Sequence, residues 1–221
     1  MRKVSLAPIL LFSLLTLTGG GLAWSLLFGL SRFKLSTDNN VLQFLLFLIL
    51  FYLFNILFYR IFLVICPIPE GEIKTASKEE FYYNVYLLYR LILFYPLIRT
   101  KLFPVPLSRP LYILLGAKLG PNTYSGGTIL DPPFTQIGAN TIIGEDALIF
   151  SHAIEGASLS HQKVIIENNV TIGAKSIIMP GAIIKDGAII ACGSIVTKNT
   201  KVLNDEIWAG NPAKKLKKPA T

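Results

Sequence analysis

The sequence predicts a mainly β protein whose second half is a parallel β-helix of six-residue turns, preceded by helices of membrane-spanning length. Two observations carry this. From Ile166 an aliphatic residue returns at every sixth position through Ile172, Ile178, Ile184, Ile190, Val196 and Val202. Far upstream, Val4 to Leu30 and Val41 to Tyr59 are long runs without a charged residue.

The two apolar runs come first in the chain. A helix needs about 20 apolar residues to cross a bilayer, so each is long enough. The linker SRFKLSTDNN (31–40) is short and polar, which makes the pair a transmembrane hairpin. A cleaved signal peptide is the rival for the first run, since Met1-Arg2-Lys3, the apolar stretch and Gly21-Leu22-Ala23 imitate its three parts. The apolar stretch continues well past that cleavage site, which favours a retained helix. Gly19, Gly20 and Gly21 allow close helix packing in lipid. Loop charge is nearly balanced, with Arg2 and Lys3 on one side and Arg32 and Lys34 on the other.

Between hairpin and repeat, Pro67 to Lys118 follows neither pattern. Ser77 with Glu80 three residues later is a helix-start signal. The aromatics and leucines that follow are flanked by Arg90, Arg99 and Lys101. Such a helix either lies in the membrane interface or packs on the hairpin, and Arg90 in its middle speaks against a third span. Pro96, Pro104, Pro106 and Pro110 break the path to the repeat.

No helix or simple hairpin has a period of six, whereas a coil of short strands and turns does. Four residues after each of the first six aliphatics comes Val170, Ser176, Ala182, Ala188, Ser194 or Thr200, and Gly173, Gly181, Gly187 and Gly193 mark turns. Strand alternation puts both sets inside and the residue between them outside. Each buried Ile or Val contributes roughly 1.5–3 kcal/mol before chain entropy is charged. The frame recurs upstream at Leu119, Ser125, Asp131, Ile137, Ile143 and Ile149, but Ser125 and Asp131 stand where aliphatics belong and Pro132-Pro133 follows. The first coil is therefore expected to be distorted. Asp131 either marks a bulge or serves an acceptor pocket, and an uncompensated inward charge favours the bulge. From Ile149 to Ile166 the step is 17 residues, one short of three hexads, which predicts a loop ejected at about Glu155–Val164.

The chain has two histidines, His152 and His161, and both fall where the rhythm fails. A coil has little concavity of its own, so a site must use an ejected loop, a groove beside a coil or a neighbouring subunit. Histidine is also the side chain best suited to accept a proton near neutral pH. Glu155 lies near enough in sequence to orient the imidazole, or is a solvated loop carboxylate. Outward Ile177, Ile183, Ile189 and Ile195 need partners, and Ile177 and Ile195, 18 apart, share a face. A homotrimer fits.

In order and spacing, DPPFTQIGANTIIGEDALIFSH (131–152), VIIENNVTIGAKSIIMPGAIIKDGAIIACGSIVTKN (164–199) and AGNPAKKLK (209–217) resemble the left-handed β-helix hexapeptide-repeat acyltransferases, especially their O-acetyltransferases. LLGAKLG (114–120) resembles their lead-in. The resemblance implies triangular coils and His152 as the general base, with His161 as alternative if the register shifts. It also implies an acyl donor, acetyl-CoA or another acyl-CoA, held between subunits of a trimer. An acyl-carrier-protein donor stays open, and no permanently bound cofactor or metal is implied. Carried over by position, Ala174 and Cys192 would line the donor groove, and Thr197, Lys198, Lys214 and Lys217 would meet the pantetheine amides and phosphates. The basic run at 214–218 has two other readings, a solvated tail and a tether to anionic lipid.

Composition and resemblance together divide the chain into a transmembrane hairpin (1–67), interfacial or connecting helices (68–118), a β-helix acyltransferase domain (119–205) and a basic tail (206–221). Acyl-CoA is cytosolic, which implies both termini and the β-helix on the cytoplasmic side. Of the net charge of +8, residues 119–221 carry only 9 basic against 8 acidic groups. The excess lies in the membrane-proximal half, where lipid head groups would hold it, and nucleic acid is a poor partner. Cys66 and Cys192 do not suggest a disulfide framework. A zinc site of the carbonic anhydrase type needs three histidines, and the chain has two. The expected activity is a membrane-bound transfer of an acyl group to a hydroxyl or amine of a lipid or lipid-linked glycan. The alternative is a non-catalytic trimeric scaffold anchored to the membrane.

Overall fold

A computed structural model describes residues 3–32, 39–100 and 104–216. The described residues divide into two compact units, one formed within 3–68 and 75–93, the other within 69–74 and 94–216.

In the first unit, α1 (Leu6–Arg32) and α2 (Asn40–Ile65) lie side by side. Asn39 starts α2 by accepting the N–H groups of Val41 and Leu42, which satisfies donors that the first turn leaves open. Gly19 in α1 faces the buried Asn55 of α2; a Cβ there would stand 2.8 Å from the Asn55 amide nitrogen, so the close approach requires glycine. α3 (Lys78–Leu88) begins with the expected capping box: Ser77 Oγ accepts from Glu80 N–H at 3.1 Å and Glu80 Oε2 from Ala76 N–H at 2.6 Å. It packs on α1, and Tyr86 stacks on Tyr59 of α2. Of the two readings for this segment, packing on the hairpin is therefore observed. A π-helical stretch, Tyr89–Phe94, joins α3 to α4 (Tyr95–Arg99). Among the described residues, three helices suffice by length and composition to cross a membrane: Leu6–Arg32, Asn40–Ile65 and the composite Lys78–Arg99.

The second unit is the left-handed parallel β-helix, with three faces of stacked short strands. One face is built from Lys118–Leu119, Thr135–Ile137, Val164–Ile166, Ile183–Ile184 and Lys201–Val202. The next holds Tyr124–Ser125, Ile142–Ile143, Thr171–Ile172, Ile189–Ile190 and Ile207–Gly210. The third holds Thr128–Ile129, Leu148–Ile149, Ile177–Ile178 and Ile195–Val196. Parallel partners such as Ile165 and Ile183, Thr171 and Ile189, and Ile177 and Ile195 are 18 residues apart, three hexads per coil. Inward Ile166, Ile172, Ile178, Ile184, Ile190, Val196 and Val202 are all buried, with Val170, Ser176, Ala182, Ala188 and Ser194 between them.

α5 (Val105–Leu114) closes the N-terminal end of this core. Tyr112 is buried there; its hydroxyl donates to Gly127 O and accepts from Ile129 N–H, and burial pushes its pKa up to about 12. Arg109 donates to the carbonyls of Leu119 and Gly120. At the other end Glu206 and Trp208 take the next two inward hexad positions. Glu206 accepts from Leu203 N–H and Trp208 Nε1–H and pairs with Lys215 at 2.7 Å. These bonds, that to Lys215 first, hold its pKa down to about 2.

The early coils depart from the sequence frame in two places. Ile129, not Asp131, lies over Ile149, with partners 20 apart. The frame has moved by two residues at Gly126-Gly127, and the surplus after Ile129 is taken up by a 3-10 turn at Pro132–Phe134. The second departure is the ejected segment. Partners across that coil, such as Gln136 and Ile165, are 29 apart instead of 18, so it holds 11 extra residues. The step of 17 is one hexad plus this insertion. The insertion is a β-hairpin of His152–Glu155 and Ser158–His161, beginning three residues before the expected loop.

Candidate functional site

The displaced frame and the hairpin meet at one corner of the β-helix. Asp131, just past the displaced strand, is fully buried. Its backbone carbonyl accepts from Phe134 N–H and Thr135 Oγ1, both at 3.0 Å, which fixes the turn that aims its side chain. Its Oδ2 accepts from Ser151 N–H at 2.9 Å and meets His152 Nδ1 at 2.6 Å. With Asp131 ionised the carboxylate only accepts, so Nδ1 is the donor of this pair, and a neutral ring then presents its lone pair on Nε2. An imidazole held in this way can serve as an oriented general base. The inward charge that would be costly alone is compensated by two donors.

His152 and His161 face each other across the hairpin, ring centroids 6.3 Å apart. Their surroundings differ. The His152 side chain is 18% exposed, whereas His161 is fully buried against Phe134 at 4.8 Å. A shallow groove beside His152 is lined by Phe150, Ile154, Glu155, Met179 and Lys198.

Glu155 does not meet the imidazole; it pairs with Lys198 at 2.5 Å. Three residues along a strand carry it roughly 10 Å from His152, which spacing in sequence alone conceals. Asp131 takes the place expected of it from 21 residues upstream. Its signal was the charge at an inward hexad position, and the bulge read from that charge is also what delivers the carboxylate.

The positions carried over for the donor fall on the two edges of one face. Ala174 and Cys192 follow the strands Thr171–Ile172 and Ile189–Ile190 in successive coils, packed so closely that a Cβ on Gly173 would stand 2.4 Å from Cys192 N. Lys214 lies beyond them, opposite Ala209 in a terminal antiparallel ribbon. Thr197 and Lys198 sit on the other edge, stacked above Met179 and Phe150, which brings Lys198 to the His152 groove. Ile177 and Ile195 are direct partners on the face between these edges. Lys217 lies outside the described residues. Among the described residues no group of three or more His, Cys, Asp or Glu side chains is arranged to hold a metal.

The fold is thus a β-helix of six-residue turns, and its corner sets the hairpin residue His152 against Asp131 from the turn before it. Residues 163–198 match the family model described as bacterial transferase hexapeptide (six repeats), so the later coils carry that family's repeat. No curated protein matches the chain. Among solved structures, a hexapeptide-repeat-containing acetyltransferase of Vibrio cholerae O1 biovar eltor, complexed with acetyl coenzyme A, is 22% identical with a TM-score of 0.43. That match covers 46% of this chain and 60% of the other, so the chain spans under two thirds of that relative. A galactoside acetyltransferase in complex with coenzyme A is 21% identical (TM-score 0.45; 59% of this chain, 78% of that one). A maltose O-acetyltransferase of Clostridium difficile 630 is 21% identical (TM-score 0.39; 60% and 86%). At these identities the likeness is one of fold.

Proposed function

We propose that this protein is a membrane-bound acyltransferase that moves an acyl group, most simply acetyl from acetyl-CoA, to a hydroxyl or amine of a membrane-associated lipid or lipid-linked glycan. The observation that carries this reading is the Asp131–His152 contact at the mouth of the hairpin. His152 Nε2 takes the proton from the acceptor hydroxyl as its oxygen attacks the thioester carbonyl. The tetrahedral intermediate collapses by breaking the C–S bond, and the imidazolium returns the proton to the CoA thiolate. Asp131 orients the ring and stabilises its charged form. Partial exposure of His152 and full burial of His161 support His152 as the base.

In this reading the donor lies along the face between the Ala174–Cys192 edge and the Thr197–Lys198 edge, covered by a second subunit of a homotrimer. Lys214 and Lys217 meet its phosphates as point charges. Three helices of spanning length support membrane attachment, with the β-helix on the cytoplasmic side where acyl-CoA is found. The V. cholerae acetyltransferase complexed with acetyl coenzyme A and the galactoside acetyltransferase in complex with coenzyme A agree with the choice of donor. The test is His152→Ala in native membranes supplied with acetyl-CoA. CoA release is expected to fall by about 100- to 10,000-fold while the coils stay folded, with a lowered thermal midpoint because the buried Asp131 loses one of its two donors. Wild-type turnover in the His152→Ala protein would refute the assignment.

A further inference from the structure

The segment between the second and third apolar helices is built into the site hairpin. Gly71–Glu72 runs antiparallel to Ser158–His161, with Gly71 opposite His161 and Glu72 opposite Ser160. Ile73 donates its N–H to Leu159 O at 2.8 Å and is fully buried. Two side-chain ties reinforce the pairing. Ser158 Oγ donates to Glu72 Oε1 at 2.9 Å, and Lys163 meets Glu70 through its ammonium at 2.5 Å and its backbone N–H at 3.4 Å. The Lys163 ammonium holds the Glu70 carboxyl below the usual carboxylate range.

The His161 strand thus has a neighbour on each side, the His152 strand and this strap. A two-stranded hairpin is marginal by itself, and a third strand is what makes such a sheet hold its shape. A general base must be held to within about 0.5 Å of its working position, more than an ejected hairpin achieves unaided. The strap also runs directly in the chain from α2, which ends at Ile65, to α3, which begins at Lys78.

We infer that Pro69–Lys74 is a positioning element of the transfer site: it fixes the His161 strand and, through it, the His152 imidazole. This deepens the acyltransferase reading and rests on it for the activity, whereas the strap's grip on the hairpin does not. A strap that merely covered an open strand edge would protect the hairpin without affecting turnover.

The test uses the full-length chain in nanodiscs, with amide hydrogen exchange on one arm and CoA release from acetyl-CoA in native membranes on the other. Gly71→Pro cannot keep the φ of +98° found there, and it unpairs the strap without touching the hairpin. Exchange at Ser158–His161 is expected to quicken at least ~10-fold while that of Thr171–Val202 stays as in wild type, and kcat is expected to fall at least ~10-fold at an unchanged KM for acetyl-CoA. Glu70→Lys should give a smaller effect in the same direction, reversed by adding Lys163→Glu. Unchanged exchange in both variants overturns the strap. Faster exchange with unchanged kcat reduces it to an edge cover and overturns the positioning role. Absence of His152-dependent CoA release in the wild type instead sinks the acyltransferase reading and the positioning role together, and exchange alone then decides whether the strap grips the hairpin.

Discussion

Between Val164 and Val202 every side of the coil advances by six residues and partners stand 18 apart, while before it partners stand 18, 20 or 29 apart. Both regions are built from hexad strands, but the interior of the earlier coils also takes in Thr123, Ser125, Thr135 and Thr141. What differs is where polar side chains face. In the later coils the buried polar groups are small hydroxyls such as Ser176 and Ser194. In the earlier coils, a displaced strand, a 3-10 turn and a hairpin bring Asp131, Ser151, His152 and His161 to one corner. A regular solenoid is a rigid stack with no place to converge several long side chains; departures from its period create one.

The largest effect that would sharpen this contrast is expected in the regular half. Ile184→Ala removes a fully buried side chain and should cost about 2–5 kcal/mol, read from unfolding in detergent, with kcat per folded molecule retained. Loss of activity without loss of stability there would break the division of labour. In the irregular half, Asp131→Asn keeps an acceptor for Ser151 N–H and removes the charge facing the imidazole. A hydrogen bond to a charged group is worth about 1.5–3 kcal/mol, so CoA release should fall roughly 10- to 150-fold. An unchanged rate would show that the buried carboxylate serves only the turn.

The smallest effect concerns the C-terminal end of the stack. The Glu206 pKa is lowered from 4.5 to about 2, so its contribution is complete above the ordinary carboxylate value and is lost as pH falls toward 2. In a Trp24→Phe background, Trp208 emission should hold steady from neutral pH down to about 3 and change as pH falls toward 2, where folded Glu206 takes up its proton. Glu206→Gln should remove that acid transition while leaving the coils folded.

The repeat was legible because a strand buries alternate residues and a coil returns after three sides, so the aliphatic positions recur in the sequence as they do in space. The capping box at Ser77–Glu80 and the spanning length of the first two helices are local properties and could be read the same way. The length of the insertion was not legible. A step of 17 fits one hexad plus 11 residues as well as three hexads less one, and only the pairing of Gln136 with Ile165 separates them. The corner chemistry was half visible. His152 stood out at the break in rhythm, but Asp131 looked like a fault in the pattern because its partner lies 21 residues away.

What the sequence by itself determined is therefore the coil, its aliphatic interior and the place where it breaks, since each rests on residues close in the chain. Tertiary structure alone decided that Asp131 rather than Glu155 meets His152, that His161 is buried, and that Gly71–Glu72 joins the hairpin. Those pairings join residues separated by one or more turns of the stack, or by the third apolar helix. Backbone hydrogen bonding and burial select them from many combinations that composition and local spacing leave equal.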